Sequence, residues 1–431
     1  MEPVTKSTET KPSYSPLLVL GHTVNDMYSN LLAGFLPVLI IEFGLSYMLA
    51  GLAALVFNAF SSVLRPILGR WFDRTRATWL LEIGLTLNCI CMSLVGISPN
   101  YVLVLFLLAT AGLGTACFHP PAFSTVVKSG ASRKGKAMGF FIAGGNTGFF
   151  LGPIIAGLII TTYGLHGTLL LLPVGLIAAF ILLRARVTAG TPTTTLDVSS
   201  TQPKTNKRLV ALLATIVACR STTIIVAETF LPVYFVARGD PLVIATALAS
   251  VWLGIGVIGQ LTGGYISDRI GRFPVIASSL LIGSPLFLAF IITSGPMSIV
   301  FLALAGVVLY AGWSVIVVMA SEAAPQNVGT VSGLMLGLAV GIGGFAALSF
   351  GALADRIGLQ SALIAITTFL FVGGILSFAI PKFGNVQNTA SEKNQLWKRR
   401  ASWKLKWIHF SGRSGRFRND LSRLRTFFTG S

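Results

Sequence analysis

Charge is what this chain has little of. Only 11% of its 431 residues are Asp, Glu, Lys or Arg, against about 25% in soluble globular domains, and the mean hydropathy is +0.79. That balance excludes a water-soluble enzyme or binding domain. Acidic residues are scarcest, 14 against 32 Lys and Arg, as in membrane helices, where a carboxylate is costly. The four cysteines, Cys89, Cys91, Cys117 and Cys219, lie in apolar runs without a Cys-x-x-Cys, and no histidine stands at metal-ligand spacing. Neither disulfides nor zinc are expected. A phosphate-cradling Gly-x-x-x-x-Gly-Lys-Ser/Thr loop is missing, as are Gly-x-Ser-x-Gly and His-Glu-x-x-His. Direct ATP drive, a nucleophile elbow and a protease-type metal site are therefore unsupported, and no cofactor is expected.

What is there is apolar and small: 53% hydrophobic residues, 29 Phe and 46 Gly. A bilayer core about 30 Å thick takes roughly 20 apolar residues per helix, and the hydropathy predicts twelve spans. Six fall in 16–184 and six in 209–380, between a polar segment 1–15 and a basic tail 381–431. The first span, 16–41, is too long for a removable signal peptide and is read as staying in the protein. The break at 185–208 is rich in Thr, Ser and Pro and reads as a flexible linker. With the N-terminus in the cytoplasm, sixteen Lys or Arg fall inside and only Arg238 and Arg356 outside. That asymmetry puts both termini in the cytoplasm of a cell-membrane protein.

The net charge of +18 belongs to the same rule rather than to nucleic acid, which is not an expected partner. Residues 382–431 hold 12 of the 32 Lys and Arg against Glu392 and Asp420 alone. Trp397, Trp403, Trp407 and Phe410 interleave with those cations, which suits a helix lying on anionic lipid or an unstructured basic tail.

The two halves repeat. Phe35-Leu36-Pro37-Val38 recurs as Phe230-Leu231-Pro232-Val233, and Gly69-x-x-x-Asp73-Arg74 as Gly264-x-x-x-Asp268-Arg269, both 195 residues on. Gly157–Leu165 recurs as Gly351–Leu359 at 194. Ordered matches at one offset predict an all-α membrane protein of two pseudosymmetric six-helix bundles around a cavity.

On these residues the chain resembles the major facilitator superfamily. The family's loop motif is nearly intact as Gly264-Tyr-Ile-Ser-Asp268-Arg269-Ile-Gly271-Arg272 and degenerate as Gly69-Arg-Trp-Phe-Asp73-Arg74-Thr75-Arg76. Its span-five antiporter motif appears as Gly148-x-x-x-Gly152-Pro153-x-x-Ala156-Gly157. Gly21-His22-x-x-Asn25-Asp26, Phe118-His119-Pro120 and Ser332-Gly333-Leu334-Met335-Leu336-Gly337 resemble the fosmidomycin-resistance subfamily of drug exporters. Two departures stand out: Leu108 replaces the span-four arginine tied to proton coupling, and Pro121 stands where an acidic residue belongs. The resemblance implies a secondary active transporter, a monomer, exporting a small drug-like or anionic compound against protons. Uptake by proton symport is the rival within transport; a non-transporting receptor and an intramembrane enzyme are the rivals outside it.

Intramembrane ionisable groups mark the candidate site. His22 and Asp26, one turn apart with Asn25 beside them, form the leading cluster, either a proton site or a helix-packing device. At the 195 offset Arg220 stands opposite Asn25, which allows an Asp26–Arg220 pair across the cavity. His119, before Pro120-Pro121, either faces the cavity or is satisfied by freed carbonyls. Glu228, too far from Arg220 along the helix for a direct pair, is a second proton-site candidate. Arg65 is expected to snorkel to headgroups, and Glu82 to serve the helix dipole. Gly69, Asp73, Arg74, Gly264, Asp268, Arg269, Gly271, Arg272 and Glu322 are gate candidates. Gly148, Gly152, Pro153 and Gly157 would form an interface helix that allows close approach and bending.

Overall fold

A computed structural model describes residues 16–75, 77–128, 134–185, 205–325 and 327–381. The N-terminal segment, Arg76, most of the linker and the basic tail lie outside the described residues, as does the side chain of Asp73. Among the described residues every regular element is helical, and twelve spans are long and apolar enough to cross a bilayer.

The first span is two helices, α1 (Pro16–Ser29) and α2 (Leu31–Phe43). Asn30 between them leaves helical geometry at φ −100°, ψ 3°, and its side-chain amide donates to the Phe149 carbonyl at 2.8 Å. The span therefore runs to Phe43, two residues past the expected boundary, with a break that hydropathy does not register. Five spans complete the first bundle: α3 (Tyr47–Thr75), α4 (Trp79–Leu94), α5 (Tyr101–Lys128), α6 (Lys134–Tyr163) and α7 (Leu171–Ala185). The second bundle comprises α8 (Lys207–Ala237), α9 (Leu242–Ile270), α10 (Arg272–Ile292), α11 (Pro296–Glu322), α12 (Val328–Ile357) and α13 (Leu359–Ser377).

The repeat is visible in the backbone. Gly164 after α6 and Gly358 after α12, 194 residues apart, both adopt positive φ, 68° and 85°. A side chain would strain that conformation, so both turns keep glycine. The doubled Phe-Leu-Pro-Val segments bury Phe35, Leu36, Phe230 and Leu231 completely.

The halves meet at the end away from the linker. There α3 lies on α12: a Cβ on Gly51 would stand 2.8 Å from the Leu348 Cα, so the helices approach at backbone distance. Asp355, at the end of α12, accepts from the Tyr47 and Met48 amides at 2.8 and 2.9 Å, placing a carboxylate on the positive N-terminus of α3. Gly157 of α6 faces Thr246 of α9, a second contact between halves. The α12 face that touches α3 through Gly344, Ala347 and Gly351 continues toward the linker as Gly341, Gly337 and Gly333. Beside those three, a Cβ would meet no atom within 4 Å. The facing stripe of α3 continues as Ser62, Arg65 and Gly69. The bundles are thus closed at the far end and parted at the linker end.

Candidate functional site

α1 sits against α6 because α6 presents glycines. A Cβ on Gly148 would stand 2.8 Å from the Met27 amide, and one on Gly152 2.7 Å from the Met27 carbonyl. At Gly145 a Cβ would lie 2.7 Å from both Asp26 Oδ2 and His22 Nε2. The span-five glycines therefore make room for span one, and Gly145, just before the motif, clears the space in which its ionisable pair sits.

In that space His22, Asp26 and His119 are buried together, 5%, 4% and 7% exposed. His22 Nδ1 lies 2.8 Å from the Phe141 carbonyl, and its ring stacks on Phe141 at 4.0 Å. Its Nε2 is 3.1 Å from Asp26 Oδ2. The other carboxylate oxygen accepts from Asn25 Nδ2 at 3.0 Å and stands 3.6 Å from His119 Nε2. Asn88 of α4 anchors this face of α1 by donating to the Asn25 carbonyl and to Asn25 Oδ1, at 2.9 and 3.2 Å. It also reaches Ser29 Oγ, which bonds Thr115 of α5.

His119 thus turns to Asp26 rather than to freed carbonyls, and its Nδ1 has no partner. α5 runs helically through both prolines to Lys128. Arg65 corrects the expectation of snorkelling. It lies on the α3 stripe that faces the parting of the bundles, within electrostatic reach of Asp26 and His119, with Nε enclosed and unpartnered. A cation within electrostatic reach of a buried carboxylate, though not in contact with it, offsets part of the desolvation of both.

The expected Asp26–Arg220 pair is not formed. Asp26 is fully engaged by its own half, while Arg220, 3% exposed, donates Nε to the Leu309 carbonyl at 3.3 Å. Its guanidinium lies over Tyr310 and Trp313 of α11, 5.4 and 5.0 Å from the ring centroids. Glu228 makes no direct pair with Arg220 either. Tyr310 donates to its Oε1 at 2.5 Å, so one phenol joins the two charged residues. Tyr310 and Trp313 escape a sequence reading because isolated aromatics in an apolar helix look like core. A signal exists in the repeat: at the 195 offset they stand opposite Thr115 and Phe118, neighbours of His119.

At the linker end Arg272 joins Asp268 at 2.7 Å and Glu322 at 2.9 Å, so Glu322 meets the loop motif. Arg269 pairs with Tyr265. Gly271 turns the chain between α9 and α10 at φ 96°, while Gly69 and Gly264 only make ordinary contacts with Pro120 and Ser314. Arg74 ends α3 at the surface, and Glu82 sits in the first turn of α4, with Oε2 enclosed and unpartnered.

Linear spacing conceals that His22, Asp26 and His119 bring their donor atoms within 4.8 Å of one another, near enough to close on an ion. Against a metal, both Asp26 oxygens are already engaged, and the Arg65 cation opposes a divalent charge. Two imidazoles and a carboxylate buried together are groups able to pass a proton.

A doubled six-helix fold, parted at one end over buried ionisable groups, defines a transporter rather than an enzyme. The sequence profile described as Major Facilitator Superfamily matches residues 18–348, and the chain belongs to that family. It is 31% identical over 395 residues to the uncharacterized MFS-type transporter YfnC of Bacillus subtilis, spanning 88% of this chain and 96% of that one. It is 29% identical over 388 residues to the fosmidomycin resistance protein of Escherichia coli, spanning 87% and 95%. Among solved structures, a bacterial homologue of the human lysosomal transporter Spinster, in an inward-facing and occupied conformation, superposes with a TM-score of 0.75. At 16% identity over 84% of this chain and 95% of that one, the likeness is one of fold.

Proposed function

We propose that this transporter exports a small drug-like or anionic compound in exchange for protons, and that His22 and Asp26 carry the exchanged proton. One observation supports this most. The Phe141 carbonyl only accepts, so His22 Nδ1 carries a hydrogen, and the 3.1 Å contact between Nε2 and Asp26 needs a second one. Imidazolium facing carboxylate and imidazole facing carboxylic acid both meet that need; without the proton, two lone pairs face each other. The contact is therefore made on protonation and weakened on release. His119 from α5 faces the same carboxylate, with Arg65 of α3 within electrostatic reach; Asn25, held by Asn88, donates to it, and Phe141 and Gly145 close it off from α6. Loss of the proton alters the balance of charge against Arg65 on the stripe where the bundles part.

Alternating access then needs the far-end contacts of Asp355 and Gly51 to open as the linker end closes. Gly333 and Gly337 leave room for α3 to approach, and the Arg272 ion pairs are gate elements at that end. The excess of Lys and Arg on the linker side orients that end to the cytoplasm of a cell-membrane protein. We read the unit as a monomer, with the basic tail against anionic lipid. The antiporter motif and the Escherichia coli relative's name support export over symport.

Cells carrying the wild-type protein are expected to accumulate less fosmidomycin, or another drug from a resistance screen, than cells carrying Asp26→Asn. Equal accumulation in both at matched protein levels moves the proton site elsewhere, with Glu228 next. Higher accumulation in the wild type than in empty cells establishes uptake.

A further inference from the structure

We propose that Arg220, backed by Tyr310 and Trp313, is an oxyanion subsite that anchors the acidic group of the transported compound. The inference rests on the transport reading above and adds a chemical class to the substrate.

A guanidinium carries five N–H donors. Arg220 spends Nε on a long bond to the Leu309 carbonyl, and its Nη2 is enclosed without a partner. Among the described residues no carboxylate lies within 4 Å of it: Asp26 is held by His22 and Asn25, and Glu228, though within electrostatic reach, by Tyr310. A buried cation short of a counterion is costly and in membrane interiors marks a binding path. Here the rings of Tyr310 and Trp313, centred 5.4 and 5.0 Å from the guanidinium carbon, offset part of that cost. Trp313 is only partly buried, whereas the guanidinium is enclosed in this conformation, so the subsite is reached by movement of the Trp313 ring or of the bundles.

Its position supports the same reading. By the 195-residue repeat Arg220 is the counterpart of Asn25, Tyr310 of Thr115 and Trp313 of Phe118. The second half thus places a cation and two aromatic rings where the first half places the surroundings of Asp26 and His119, on the spans that face the cavity in a doubled transporter fold. A flat fork favours a group with two or three oxygens, a carboxylate, phosphonate or sulfonate, over a neutral amide. An apolar or aromatic body on that group would lie against Trp313.

The test is equilibrium binding to the purified full-length protein, without a gradient, followed by quenching of tryptophan fluorescence. The probes are phenylphosphonate and benzoate, with benzamide as the neutral counterpart. The wild type is expected to bind the two acids at least about tenfold more tightly than benzamide. Arg220→Gln should remove that preference, and Arg220→Lys, which keeps the charge but not the fork, should recover it only in part. Equal binding of benzamide and the acids by the wild type overturns the subsite, as does an acid preference retained in Arg220→Gln. The wild-type arm decides even if a variant fails to fold. Acid-selective binding without gradient-driven export would leave the subsite standing and sink the export reading. Export with no acid preference would do the reverse.

Discussion

The two halves of this transporter carry the same fold and unlike chemistry. In the first, an anion is surrounded: Asp26 is met by His22, Asn25 and His119 at 3.0–3.6 Å. In the second, a cation is left open: Arg220 rests on two rings and one carbonyl, with a nitrogen unpartnered. The duplicated scaffold supplies equivalent places on spans one and seven, and it is this contrast on which we base the proposal of a proton at one and an acid group at the other. A cluster that holds its proton between two side chains suits exchange, whereas an unsatisfied fork suits capture.

The sharpest way to break that contrast is Asp26→Asn, which removes the titrating carboxylate while the carboxamide still fills its space. Gradient-driven transport should vanish, while counterflow of substrate down its own gradient persists in proteoliposomes. Loss of both would place Asp26 in substrate binding instead. The next largest effect separates the helices that support each cluster. Gly148→Ala drives a methyl into the α1 backbone, whereas at its repeat counterpart Gly343→Ala meets only the Ile225 side chain. The first should lose about 1–3 kcal/mol of stability and the second less, as thermal unfolding in detergent would show. Tyr310→Phe should cost about 1–2 kcal/mol, because Glu228 loses its phenol while Arg220 keeps a ring. An unchanged melting temperature would mean that the 2.5 Å contact contributes nothing. Asp355→Asn removes the charge and, because its Nδ2 cannot accept, one of the two far-end hydrogen bonds, so the balance between the two access states should shift by about 0.5–1.5 kcal/mol. Labelling of single cysteines placed at the far end should rise accordingly.

Much of this was legible in the sequence because it is local or repeated. Span lengths follow from hydropathy, the halves from matches at 195 residues, and the His22–Asp26 pair from a spacing of one helical turn. What stayed hidden is what the fold brings together through space. Asn88 lies in an apolar run and gives no sign that it anchors span one. Arg65 sits where a long side chain equally well reaches headgroups, and only the course of α3 beside the cluster turns it inward. The Asp26–Arg220 pair was a fair inference from the repeat, yet symmetry of position carries no information on whether a closer partner has already engaged the carboxylate.

The most direct measurement is nitrogen NMR on protein labelled only at its four histidines, followed across pH, with His22→Gln assigning the signal. A proton shared between His22 and Asp26 requires that His22 keep its Nδ1 hydrogen throughout while its Nε2 signal, which gains a hydrogen or accepts one from the Asp26 carboxyl, shifts over the pH range in which transport changes. An Nδ1 that is bare, with Nε2 protonated at every pH, would contradict the account.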